Sequence, residues 1–401
     1  MFRWLKFLSP GGQRRPEHDA PPPVAGQAQD TGLPVSRDTL AAISELSRVV
    51  RNNPDAVEIY LALGNLYRAQ GEIERAVQIR QNLIVRPGLD TGYKAKAWFE
   101  LGMDYKRGGF LDRAIGAFEQ TRKIEGDTEF IILELARLAA LSGDFSGAAK
   151  HYASLDYPLA EAHYQVRLAQ EAEAKGQESE SRKWLDRALK VYPASVEGWL
   201  ERLVRLRRAG QFKPLAENLD KALDLVQSRL RFVILEGLLA DAAHCGNAAG
   251  TSAEASSAAS GAACLAAGPE MDRPFSVVPD REMAEAVLPV LAAQEPDLLI
   301  SYYAAWFAAG LDREQALVWL EKTLVVNAGF WPARLELLLM AAQDQDLTPA
   351  FRTQLEFFAA RAREIKRFVC RTCGLKREQV FFVCPRCQSW HSIGYRLVIN
   401  E

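Results

Sequence analysis

The sequence predicts an all-α fold: a solenoid of paired helices wound into a superhelix, followed by a small four-cysteine module. Three observations carry this. Helical amphipathic periodicity runs from Arg37 to about Lys366 with one interruption. Gly71, Gly109, Gly143, Gly176 and Gly210 recur at spacings of 38, 34, 33 and 34 residues, the mark of a repeat array. Four of the six cysteines fall within residues 370–387, which points to metal rather than a disulfide framework. The chain of 401 residues is 48% hydrophobic and 25% charged, the balance of a folded protein and not of a disordered one. Its net charge of −2 argues against bulk polyanion binding while leaving room for local basic patches.

Residues 1–35 open with Met1-Phe2-Arg3-Trp4-Leu5-Lys6-Phe7-Leu8, a short amphipathic start, and continue as a Pro/Gly/Gln-rich stretch containing Pro21-Pro22-Pro23. This segment is expected to be a flexible linker. Its first eight residues have the composition of a weak membrane-surface contact or of a frayed terminus. No apolar run approaches the ~20 residues that cross a bilayer, and no secretory signal is evident. A cytoplasmic location is expected.

Residues 36–366 form the expected repeat array. Ala42, Leu46 and Pro54 fit the second helix of an incomplete first repeat. Each periodic glycine lies between two amphipathic stretches, where a tight helix-to-helix turn favours a residue without a Cβ. Gly64 and Gly102 precede the first two turns by seven residues, each behind a leucine (Leu63, Leu101) and three residues ahead of a tyrosine (Tyr67, Tyr105). Ala76, Ala114 and Ala148 follow the turns by five residues. Small residues at these places let two helices approach closely while large ones fill the groove. This pattern resembles the tetratricopeptide repeat family. Trp98, Leu101, Gly102, Tyr105, Ala114 and Phe118 match its consensus within one repeat. Ala188 and Pro193 close another, and Trp199, Gly210 and Ala222 mark the next. The aromatic residues at consensus places, Tyr67, Trp98, Tyr105 and Trp199, are expected in the core. Gly237 and Ala240 continue the array in a first helix over about 230–243. An Ala/Ser/Gly-rich insert at 245–279 then interrupts the repeat as an expected disordered loop, and the helix resumes at Asp280. Trp306–Gly310, Ala316 and Trp319 mark a further repeat, with a last helix pair around Trp331–Ala342 and Pro349–Lys366. The total is one half repeat and about eight full ones.

Residues 367–401 form the expected metal module. Cys370-Arg371-Thr372-Cys373-Gly374 and Cys384-Pro385-Arg386-Cys387 are two knuckles separated by ten residues. Each Cys-x-x-Cys turn aims two sulfurs at one point, so Cys370, Cys373, Cys384 and Cys387 are the candidate ligands of one structural metal ion. Two redox-active or merely free dithiols are the alternative. Zinc and iron both suit four thiolates, and a cytoplasmic site without a redox partner motif favours zinc. Gly374 suits a left-handed knuckle turn. Val380-Phe381-Phe382-Val383 reads as a strand, and Arg396-Leu397-Val398-Ile399 as a second. His391 is open to two readings, a fifth ligand or open-site base, and an ordinary packed side chain. Four thiolates already close a site, which favours the second. Cys245 and Cys264 are expected as free thiols. Residues 361–401 hold nine Arg or Lys against three Asp or Glu, either a patch for nucleic acid or anionic lipid or the solvated face of a small module.

Catalytic signatures are missing: no Gly-x-x-x-x-Gly-Lys-Ser/Thr, Gly-x-Gly-x-x-Gly, His-Glu-x-x-His or Gly-x-Ser-x-Gly occurs. A non-enzymatic role is expected. A repeat array running into Phe368-Val369-Cys370-Arg371-Thr372-Cys373-Gly374 and Phe382-Val383-Cys384-Pro385-Arg386-Cys387, then Trp390-His391-Ser392-Ile393, resembles the lipopolysaccharide assembly protein B family. The resemblance extends from about Arg37 to Arg396. It implies a rubredoxin-like metal domain that packs on tetratricopeptide repeats and fixes the C-terminal end of the superhelix. It also implies an adaptor that couples a membrane AAA+ protease to the deacetylase committing carbon to lipid A, with a partner held on the concave repeat face. Members of that family usually begin with a membrane-spanning helix. Here only the eight-residue start stands in its place, so any inner-membrane contact is expected to be peripheral. Two other readings stay open at this point. One is a general repeat adaptor whose basic metal module contacts nucleic acid; the other is an iron electron carrier.

Overall fold

In the computed structural model the described residues are 37–52, 56–248 and 278–398. The linker expected at 1–35 and most of the insert expected at 245–279, with Cys264 and the side chain of Cys245, lie outside them. A single helix α1 (Arg37–Asn52) leads eight helix pairs. These are α2 (Val57–Ala69) with α3 (Ile73–Ile84), α4 (Thr91–Arg107) with α5 (Leu111–Glu125), and α6 (Glu129–Leu141) with α7 (Phe145–Ser154). Then come α8 (Pro158–Ala174) with α9 (Glu178–Val191) and α10 (Val196–Arg208) with α11 (Phe212–Leu225). The last three are α12 (Arg231–Ala248) with α13 (Arg281–Ala293), α14 (Leu298–Ala308) with α15 (Arg313–Val326), and α16 (Trp331–Gln343) with α17 (Pro349–Arg363). The array is a tetratricopeptide-type α-solenoid, and the interrupted pair is α12 with α13.

Local chemistry explains the breaks. The five periodic glycines all adopt left-handed φ, from 66° at Gly210 to 83° at Gly143, a region costly for residues that carry a Cβ. Asp90, Asp144, Ser195, Asp297 and Asp312 cap the helices that follow them by accepting backbone N–H bonds. Glycine allows close contact within a pair and between successive first helices. A Cβ on Gly102 would lie 2.9 Å from the Phe118 ring, and one on Gly237 would lie 2.6 Å from Leu200. Tyr105 and Trp199 are buried as expected, while Tyr67 and Trp98 are half-buried.

Successive first helices are also joined by polar rungs. Arg68 of α2 pairs with Asp104 of α4 at 2.9 Å, Lys106 of α4 with Glu134 of α6 at 2.5 Å, and Arg207 of α10 with Asp241 of α12 at 2.5 Å. Arg80 is fully buried beneath the first rung, donating to the Leu61 carbonyl at 2.8 Å and facing Asp104 at 3.5 Å. Burial pushes the Asp104 carboxyl up to about 6 against the pull of Arg68 and Arg80.

The module contains three short strands, β1 (Phe368–Cys370), β2 (Lys376–Arg377) and β3 (Ile393–Tyr395), in the antiparallel order β2-β1-β3. Two strand expectations are corrected here. Val380–Val383 is not a strand: its ladder is reduced to one bridge, Val383 opposite Trp390, because the second knuckle turns the chain back at once. The second strand lies at 393–395 and not at 396–398, since β1 has only three residues to pair with it; Ile399 of the expected strand lies outside the described residues.

One continuous apolar core runs from Leu189 to Tyr395 and takes in the module. At its centre Ile300–Ala308 of α14 is buried on every side, as expected of a helix without a polar face.

Candidate metal centre and its dock on the repeats

The two knuckles have matching backbones. Cys370 N–H donates to the Leu375 carbonyl at 2.8 Å and Gly374 N–H to the Cys370 carbonyl at 2.9 Å; Cys384 N–H donates to Ser389 at 2.9 Å and Gln388 N–H to Cys384 at 2.8 Å. Each turn closes on a left-handed residue, Gly374 at φ 71° and Gln388 at φ 57°. The first was legible as a glycine. The second carries a side chain and gave no such signal.

This geometry brings all four sulfurs within 4.8 Å of one another. Cys370 and Cys387 Sγ are 3.6 Å apart, as are Cys373 and Cys384 Sγ. A tetrahedral zinc with Zn–S bonds of about 2.3 Å has sulfur–sulfur edges of about 3.8 Å, so the four positions fit a single four-thiolate ion. Burial works against the Cys370 thiolate, but Ser392 and the N–H groups of Cys373 and Thr372 bring its thiol down to about 6. At Cys384 burial prevails and pushes the thiol up to about 12. A bound divalent cation resolves that conflict by favouring deprotonation at every ligand. Ser392 Oγ lies 3.2 Å from Cys370 Sγ and Ser389 Oγ 3.2 Å from Cys387 Sγ, so both hydroxyls stand beside the sulfurs.

His391 does not face the sulfurs. Its Nε2 lies 3.0 and 3.1 Å from the two carboxylate oxygens of Glu197 on α10, and His163 Nδ1 of α8 lies 3.1 Å from the same carboxylate. A carboxylate only accepts, so each of these ring nitrogens carries a proton. Burial would raise the Glu197 carboxyl, but the charge of His391 and the hydrogen bonds of both histidines outweigh it and hold it well below the usual carboxylate range. The adjacent Trp390 sits edge-on among His163 (5.0 Å), Tyr164 (6.0 Å) and Tyr152 (6.1 Å).

A second contact lies at the other end of the module. Phe368 stacks on Phe232 of α12 with centroids 6.0 Å apart, and Tyr395 meets Phe232, Phe330 and Tyr302 at 5.9, 5.8 and 6.4 Å. Arg367 pairs with Glu236 at 2.7 Å, and Tyr303 donates its hydroxyl to the same carboxylate at 2.7 Å.

His163, Glu197, Glu236 and Tyr303 belong to α8, α10, α12 and α14, the first helices of four successive pairs. The module therefore lies along the row of first helices, bridging four repeats, and is not a plug on the last one. The implied end cap is corrected in this respect. Sequence reasoning missed Glu197 and His163. Their one visible trace is that they stand 34 residues apart, at equivalent places in consecutive repeats; polar residues also stand there in earlier repeats (Glu58, Lys96), so the pair gave no signal of a tether.

Among proteins of known name, the chain is similar to lipopolysaccharide assembly protein B of Escherichia coli K12, with 32% identity over 122 residues, 27% of this chain and 31% of that protein. It is also similar to the protein of the same name from Haemophilus influenzae, with 42% identity over 57 residues, 14% of each chain. The matched stretch thus spans less than a third of the relatives' length. No protein-family model matches. Solved structures with some likeness include a tetratricopeptide repeat protein from Parabacteroides merdae, 14% identical with a TM-score of 0.33 over 71% of this chain and 98% of that one. Another is the MamA protein, 22% identical with a TM-score of 0.30 over 39% and 84%.

Proposed function

We propose that this chain is a non-enzymatic adaptor in the control of lipopolysaccharide synthesis, built from a repeat array at 36–366 and a module at 367–401 held by one structural metal ion. The observation that carries the reading is the dock. A four-cysteine module is fastened across four repeats through Glu197 and Glu236, a construction suited to holding a surface in one shape and not to turning over a substrate. Similarity to proteins named for lipopolysaccharide assembly supports the pathway. Cys370, Cys373, Cys384 and Cys387 would hold the ion, and zinc is the metal proposed. The ion supplies a cross-link between the knuckles, which lets a module too small for a large core present Trp390 and His391 to the repeats.

In this reading the adaptor brings a membrane AAA+ protease and the lipid A deacetylase together, so that deacetylase level follows demand. Because the module covers the row from α8 to α14, the first helices α2, α4 and α6 at the N-terminal end of that row are the surface proposed for a partner. No helix among the described residues is long and apolar enough to cross a membrane; the inner-membrane contact proposed here is a peripheral one. The test is affinity purification of the tagged full chain from gently solubilised cells, with deacetylase half-life followed after depletion. Recovery of protease or deacetylase together with a lengthened half-life supports the adaptor. Recovery of ribosomes or RNA only, with an unchanged half-life, refutes it.

A further inference from the structure

The last helix of the array departs from what an array end requires. A terminal repeat normally turns a polar face to solvent, yet α17 buries only Ala359 and leaves Phe351 57%, Phe357 53% and Phe358 64% exposed. Phe351 and Phe358 are seven residues apart, two helical turns, so they share one line along the helix. Arg361 falls between Phe357 and Phe358 on the helix surface, with its guanidinium 5.7 Å from the Phe357 ring and the two rings 5.6 Å apart. Ala359 lies on the opposite side, toward the protein.

The charge of α17 itself has one dominant sign, Arg352, Arg361 and Arg363 against Glu356. Residues 349–398 carry ten Arg or Lys against three Asp or Glu. Arg352, Arg361, Lys366 and Arg371 are all exposed. Large exposed aromatics flanked by arginine and lysine match the chemistry of the bilayer interface, where rings sit at headgroup depth and cations meet lipid phosphate. A second copy of this chain would present the same positive face and be repelled.

We infer that α17 is an interfacial helix that seats Phe351, Phe357 and Phe358 in the headgroup layer of an anionic bilayer, with the neighbouring basic side chains on lipid phosphate. The inference is independent of the adaptor reading, since it rests on α17 alone. Either one can fail without the other.

The experiment is flotation of the zinc-loaded full chain with vesicles of equal phosphatidylglycerol and phosphatidylcholine, and with phosphatidylcholine alone. The wild type should float with the anionic vesicles, weakly with the neutral ones, and less as salt rises. The triple variant Phe351→Ser, Phe357→Ser, Phe358→Ser should bind at least about tenfold more weakly, with unchanged helical circular dichroism because the rings are exposed. Arg361→Glu should sharply reduce the preference for the anionic lipid. Equal flotation of wild type and triple variant overturns the inference. So does failure of the wild type to float with the anionic vesicles.

Discussion

Replacing Glu197 by Gln tests whether the module is held by its buried carboxylate. Glu197 is 6% exposed and accepts from His391 and His163. Removing one partner of a buried charged pair costs about 3–5 kcal/mol. Gln keeps the volume and one acceptor, so about 2–3 kcal/mol of docking is expected to be lost. At ~1.4 kcal/mol per tenfold, 2 kcal/mol raises the undocked population by roughly 30-fold. Hydrogen exchange at pH 7 should rise by about that factor across residues 382–398 and leave α4 and α5 unchanged. A double-mutant cycle with His391→Gln should return a coupling of about 1.5–3 kcal/mol. The pH dependence has a defined sign. The folded pKa of Glu197 is lowered from 4.5, so its contribution is complete above that value and falls away as pH drops below it. Exchange in 382–398 that differs less than twofold between Glu197→Gln and the wild type, together with a coupling below about 0.5 kcal/mol, would refute the argument.

Three further outcomes are expected. Cys373→Ser with Cys387→Ser should release the metal, measured by chelator-indicator titration, and raise exchange across 368–398, α12 and α14 while sparing α2 to α5; unchanged protection of α12 and α14 would show that the module adds nothing to the core. Gly64→Ala places a Cβ 2.7 Å from the Arg80 guanidinium and should lower stability by about 1–3 kcal/mol in urea melts, unlike Gly116→Ala, where the added atom meets nothing within 4 Å. Asp104 is pushed up to about 6 from 3.8, so the folded state holds its proton more firmly than the unfolded chain. Its contribution to stability therefore weakens as pH rises from about 4 to 6, and Asp104→Asn should flatten that part of a melting-temperature profile.

The array was legible because each repeat is a local unit. The turn glycines announce their left-handed φ, and the insert between α12 and α13 announces itself by composition. The knuckles were legible for the same reason, since a four-residue motif carries its own geometry. The dock was not. His391 and Glu197 are 194 residues apart in sequence, and the expectation of an ordinary packed side chain at His391 named no partner for it. Val380–Val383 misled in another way: its β-branched and aromatic residues have strand propensity, but pairing partners decide strands and the knuckle supplies only one. The aromatic face of α17 was hidden too, because Phe357-Phe358 in a helix reads as core until the covering helix proves to be absent among the described residues.

The 194-residue span of the tether also sets an order of assembly. Helix pairs form from contacts close in sequence and nucleate wherever two neighbours meet, whereas joining Trp390 and His391 to α8 and α10 requires the intervening chain to be in place first. The module is synthesised after every repeat it touches. Until it has bound its ion and docked, the newly made array carries a bare apolar strip through Tyr152, Phe232, Tyr302 and Phe330, the kind of surface that chaperones and proteases recognise. Yield of the mature protein in a growing cell should accordingly follow metal supply during synthesis.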